Sequence, residues 1–142
     1  MRASTVFRGA HALVTIILLV VVVGFVWMRE GDRKTGDEFL SAKQVQPGLW
    51  LYATQNRTGN ATVPTVVRYY LSANQPDDPN DAVKLLHDQW PFMEGTGEIT
   101  SITSEHDYLR ISYRGRVYSL DPTATWQDDG KPVTMRLAYD IQ

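Results

Sequence analysis

Apolar residues are distributed along this chain in three patterns, and each predicts a different element. From Ala10 to Met28 they run unbroken by charge as AHALVTIILLVVVVGFVWM. A helix over this run rises about 28 Å at roughly 1.5 Å per residue, close to the hydrocarbon thickness of a bilayer, and predicts a transmembrane helix. The run is longer than the roughly 7–15 residues of a signal-peptide core. It ends in Gly24-Phe25-Val26-Trp27-Met28 with no small-x-small cleavage site before Arg29, so an uncleaved anchor is expected. Trp27 followed by Arg29 suits a membrane boundary.

The second pattern is alternation. Leu49–Thr54, Thr65–Leu71, Ile99–Thr103, Tyr108–Tyr113, Arg116–Leu120 and Val133–Ile141 are rich in aromatic and β-branched residues and predict strands. The last alternates best, with Val133, Met135, Leu137, Tyr139 and Ile141 on one face and Thr134, Arg136, Ala138 and Asp140 on the other. Turn residues separate the strands. QNRTGNATVP (residues 55–64) reads as a long hairpin connection, Arg114-Gly115 as a tight hairpin, and Asp129-Gly130 as the turn before the final strand.

The third pattern has helical spacing. Asp78 can cap, Pro79 suits the first helical position, and Ala82, Val83, Leu86 and Trp90 form one stripe with Leu85 at its margin. Asp81, Lys84 and Asp88 face the other way, and Pro91 ends the helix. Together these elements predict an α+β fold, with an N-terminal transmembrane helix followed by a small antiparallel meander of about six strands and one inserted helix. Such a sheet must curl toward a barrel or lie against the helix to bury its apolar face. The expected divisions are a cytoplasmic tail over 1–9, the span over 10–28, a charged juxtamembrane linker over 29–47 with a helical turn at Asp37–Val45, and an extracytoplasmic α+β domain over 48–142.

Lys and Arg counts do not fix the orientation. Arg2 and Arg8 precede the apolar run, whereas Arg29, Arg33, Lys34 and Lys43 follow it among Glu30, Asp32, Asp37 and Glu38. A very short basic tail before one apolar run is the form of a signal anchor, which puts the N-terminus inside. The C-terminal domain then faces the periplasm of a bacterium from its inner membrane, or the lumen or exterior in a eukaryote.

Composition narrows the chemistry. A net charge of -2 and a pI near 5.9 give no basic stripe, so nucleic acid is set aside as a partner. With no cysteine there are no disulfides, thiolate metal sites or cysteine nucleophiles. There is no G-x-S-x-G elbow, no H-E-x-x-H pair and no Gly-rich loop opening a helix. In a calcium-loop register from Asp77, Pro79 falls at the third position and Ala82 where glycine is required, so capping explains Asp77–Asp81 better. Glu105-His106-Asp107 offers three potential ligands, but adjacent residues of a tight turn point in different directions. His87 sits at the edge of the helical stripe as a packed or rim residue, and no carboxylate pair stands out. Neither an enzyme nor a cofactor or metal is expected. Asn56-Arg57-Thr58 and Asn60-Ala61-Thr62 are sequons that a eukaryotic secretory pathway could use and a bacterium would leave bare.

Aromatic residues are dense, and most of them are expected to fill the core. Trp50, Tyr52, Tyr69 and Trp126, with Arg136, are the candidates for ligand or partner binding. Gly48-Leu49-Trp50 at the start of the first predicted strand resembles the G-x-W of lipocalin and calycin barrels, and Arg136 is placed like the basic residue that packs near that Trp. A membrane anchor followed by a small Trp-initiated β meander also resembles the ToxS-type accessory proteins of enteric bacteria, from which the helix at Asp78–Trp90 departs by its insertion after two strands. The resemblance implies a periplasmic subunit supporting a ToxR-like membrane regulator, with a pocket for a small lipid-like molecule. The sequence thus points to a single-pass protein that binds and supports another membrane or periplasmic protein. Its rivals are an anchored immunity or exclusion protein that neutralises an incoming toxin, and a small subunit of an envelope or secretion complex.

Overall fold

Past residue 36 the chain is mostly strand. The computed structural model describes all residues except 1, 33, 35, 58–61, 63 and 76. It divides into two units, residues 1–35 and Gly36–Gln142. The first holds helix α1 (Arg2–Asp32). The second runs β1 (Asp37–Gln46), β2 (Leu49–Asn56), β3 (Val66–Ser72), α2 (Pro79–His87), β4 (Met93–Gly95), β5 (Glu98–Glu105), β6 (Tyr108–Arg114), β7 (Val117–Leu120), β8 (Thr123–Asp128) and β9 (Lys131–Ile141).

The layering follows from β2 and β3, which pair antiparallel with Leu51 opposite Leu71 and Ala53 opposite Tyr69. Both of their faces are buried. Successive side chains point to opposite faces, so Leu49, Leu51, Ala53, Val67, Tyr69 and Leu71 enter the main core. Tyr52 and Tyr70 point the other way and pack with Ala82 and Leu86 of α2. One sheet has the order β1-β2-β3-β4-β7 and the other β5-β6-β9-β8. Leu109, Ile111 and Tyr113 of β6, Ala124 and Trp126 of β8, and Leu137 of β9 complete the main core from the second sheet.

Several expectations are corrected. The fold is not one antiparallel meander curling toward a barrel. It is two sheets, and β6 and β9 run parallel, with Leu109 beside Leu137 and Ile111 beside Tyr139. Among the described residues, no helix is long and apolar enough to cross a membrane. In place of a helical turn, Asp37–Val45 lies within β1, paired to β2 along its length. Arg114-Gly115 is no hairpin: β6 and β7 belong to different sheets, and the chain crosses between them beside Gly97. A Cβ on Gly97 would lie 1.9 Å from the Arg114 carbonyl oxygen, and one on Gly115 2.5 Å from the Gly97 Cα, so the crossing requires glycine at both positions. The helix stops at His87, short of Trp90, and β1, β4 and β8 join the six strands read from alternation.

Candidate partner-binding groove

The end of α2 and the strand β8 create a concavity. Asp78 Oδ1 accepts from the Asn80 backbone N–H at 2.7 Å, and Pro79 starts the helix with its fixed φ. Ala82 and Leu86 then dock on Tyr52 and Tyr70. With Asp88 as C-cap, residues 89–91 leave the helix axis and carry Trp90 outward, where it is 76% exposed. The chain is caught again at Phe92. Its N–H donates to the Tyr69 carbonyl at 3.0 Å, and its own carbonyl accepts from the Asp121 N–H at 2.8 Å. The Leu137 N–H donates to the Pro122 carbonyl at 2.8 Å, and the Tyr139 hydroxyl to the Asp121 carbonyl at 2.6 Å, fixing the approach to β8.

Between these elements lies an open groove of about 680 Å³, lined by Asn74, Leu85, Asp88, Gln89, Trp90, Phe92, Asp121 and residues 123–127 of β8. This is within the size range of ligand sites, about 300–1,000 Å³. Its described lining includes two carboxylates, Asp88 and Asp121, and no lysine or arginine. Phe92, Ala124 and Trp126 supply an apolar floor, while Leu85 and Trp90 stand at its margin.

Of the five binding candidates Trp50, Tyr52, Tyr69, Trp126 and Arg136, Trp126 alone is among the described lining of this groove. Tyr52 is buried under α2, and its hydroxyl donates to the carbonyl of Asn74 at 2.7 Å, behind the groove wall. Tyr69 lies in the main core, edge-on to Tyr113, and donates to the Gly97 carbonyl at 3.0 Å; burial pushes its phenol up to about 12. Trp50 is half-buried on the α2 side of the first sheet. Arg136 is exposed in β9, beside Thr123 and Tyr108, so it and Trp50 sit on different sheets. Tyr52 and Tyr69 are thus core residues.

A second polar cluster sits on the first sheet. Arg68, 7% exposed, donates from Nε to Glu94 Oε1 at 3.0 Å and pairs with Asp37 through its other arm. Asp37 also accepts from Asn56 Nδ2 at 2.8 Å and from Thr54 Oγ1 at 3.3 Å. Burial alone would lower the guanidinium pKa, but the two carboxylates outweigh it and hold Arg68 above its ordinary value. The pairing ties β1, β3 and β4 together. The sequon residue Asn56, at the end of β2, therefore has its amide engaged by Asp37 of β1, and Asn60 lies outside the described residues. Glu105 is held by the Tyr108 hydroxyl and by Arg110 Nε at 2.9 Å, hydrogen bonds that lower its carboxyl pKa. Among the described residues, no group of three His, Asp or Glu is arranged to hold a metal ion.

Alternation in Thr123–Asp128, ahead of the Asp129-Gly130 turn, is a hairpin signal that could have revealed the groove's strand. No family model, curated protein or solved structure matches the chain.

Proposed function

We propose that the protein works by binding rather than catalysis, as a membrane-associated accessory or regulatory subunit in a bacterial envelope. The observation that carries this is the open groove along β8, with exposed Trp90 at its rim and an acidic lining. A concave site with an apolar floor and a polar rim is the form of an interaction site. Helix α1 supports the membrane association, because Leu13, Ile16, Leu18, Phe25 and Trp27 expose apolar surface that favours lipid or another helix. Holding the protein at a membrane raises its effective concentration near a membrane partner, so a modest interface is enough.

The test is crosslinking in native membranes, mild-detergent extraction of the full-length protein, and mass spectrometry, beside a version lacking residues 1–28. Recovery of a defined membrane or envelope protein, reduced without residues 1–28, is expected. Recovery of nothing from resting cells overturns the accessory role; capture only of an incoming toxin replaces it with immunity.

A further inference from the structure

We propose that the groove takes an extended, basic segment of a partner protein as an added β-strand along β8. This rests on the accessory reading for the class of occupant and on the backbone for its mode of binding. The strand β8 is the last in its sheet, so among the described residues one of its edges has no neighbouring strand. Hairpin geometry shows which groups that edge presents. Asp128 and Lys131 flank the two-residue turn Asp129-Gly130, whose positive φ values of 46° and 75° are those of a type I′ turn. The pair flanking such a turn exchanges both hydrogen bonds, and the alternation of an antiparallel ladder does the rest. Asp128, Trp126 and Ala124 bond toward β9, while the N–H and C=O groups of Gln127, Thr125 and Thr123 point to the free edge.

Two details agree with this register. Pro132, which has no N–H to give, stands opposite Gln127 in a pair that needs none. The Thr125 and Thr134 hydroxyls meet at 2.8 Å, as the closer side chains of a non-hydrogen-bonded pair can. The groove is lined by residues 123–127 without a gap, from both faces of the pleat, so it follows the edge of the strand and not one face. Its length along β8 is about 17 Å, enough for five extended residues. An added strand would find Thr123, Thr125 and Gln127 as hydrogen-bonding partners, which is how edge strands recognise peptides.

Charge selects the occupant. Asp88 and Asp121 line the groove with no lysine or arginine in its described lining, and only the imidazole of His87, 3.4 Å from Asp88 Oδ1, lies beside them. A basic segment is attracted, whereas a second copy of this chain paired through β8 would set these carboxylates against their own kind. An anionic amphiphile is disfavoured for the same reason.

Fluorescence anisotropy of the full-length protein in mild detergent tests the proposal, with a labelled hexapeptide alternating lysine and valine and a counterpart carrying glutamate for lysine. The lysine peptide should bind, and the glutamate peptide should bind at least about tenfold more weakly. Thr125→Pro removes an edge donor without touching the β8–β9 ladder, and should weaken the lysine peptide by about tenfold. If that variant does not fold, a lysine–valine peptide methylated on alternate backbone nitrogens makes the same test on the unaltered protein, with the same loss expected. Replacing both Asp88→Asn and Asp121→Asn should abolish the preference between the two peptides. No binding of the lysine peptide, equal binding of both, or binding indifferent to every backbone block overturns the proposal. So does a dimer dispersed by Thr125→Pro, or a lipid retained in the groove in place of peptide. Crosslinking separates this from the accessory reading: a recovered partner whose crosslinks avoid β8 leaves that reading standing and sinks the groove, whereas peptide binding with no recovered partner does the reverse.

Discussion

Arg68 shows how much a single residue can join. In the string TVVRYYL it has the alternation of a solvent-facing cation, yet it is buried because Asp37, 31 residues earlier, supplies its counter-charge from the start of β1. Breaking such a pair by removing one member leaves an uncompensated buried charge, at a cost of about 3–5 kcal/mol. Arg68→Ala should therefore lower stability by that order, read as a shift of the urea midpoint. Asp37→Asn with Arg68→Ala together should cost less than the sum of the two single changes. The candidate binding residues show the same limit of reading one position at a time. Density of tyrosine and tryptophan marks importance without separating core from surface: Tyr52 and Tyr69 are buried and hydrogen-bonded inward, and only Trp126 reaches the groove.

Strands whose pattern is set by their own side chains were legible. The final strand, β9, alternates from Val133 to Leu137 in the structure as it does in the sequence, with Leu137 inward and Arg136 outward, whereas Ile141 at its end is exposed. By contrast β1 is exposed over most of its length, so its sequence DEFLSAKQVQ carries little apolar signal, and the ladder with β2 and the Asp37 ion pair hold it in place. Strand β4 has three residues, too few for a period to appear. The Arg114-Gly115 turn was misread because glycine marks a close backbone approach as readily as a hairpin. Here it allows the chain to pass Gly97, where a Cβ would sit 1.9 Å from the Arg114 carbonyl oxygen. Gly97→Ala must displace backbone on both sides of the crossing, and should destabilise by about 1–3 kcal/mol with an unchanged urea m-value.

For the whole molecule, alternation predicts that a sheet will bury one face but not which strands become neighbours. That choice was made by contacts distant in sequence, such as β9 beside β6 and β4 beside β7. The groove was hidden for the same reason, since its walls come from α2, the Asp121 segment and β8. A global prediction follows from the buried phenols. Burial pushes both Tyr69 and Tyr70 up to about 12 from 10.0, so the folded state keeps protons that the unfolded chain releases. Their contribution to stability is complete below pH 10.0 and is lost as pH rises toward about 12. The urea midpoint should fall across that interval, with the delayed phenolate absorbance appearing together with loss of near-ultraviolet circular dichroism. The placement of β9 also bears on the order of events during synthesis. All strands of the first sheet have been made once Leu120 is added, but the second cannot close until β9, ending at Ile141, slides between β6 and β8. At ribosomal speeds of about 5–20 residues per second, the hydrogen-bonding edge of β6 that β9 will occupy stays unpaired for roughly one to five seconds after Arg114 is added, an interval in which a holding chaperone could determine the yield of folded protein.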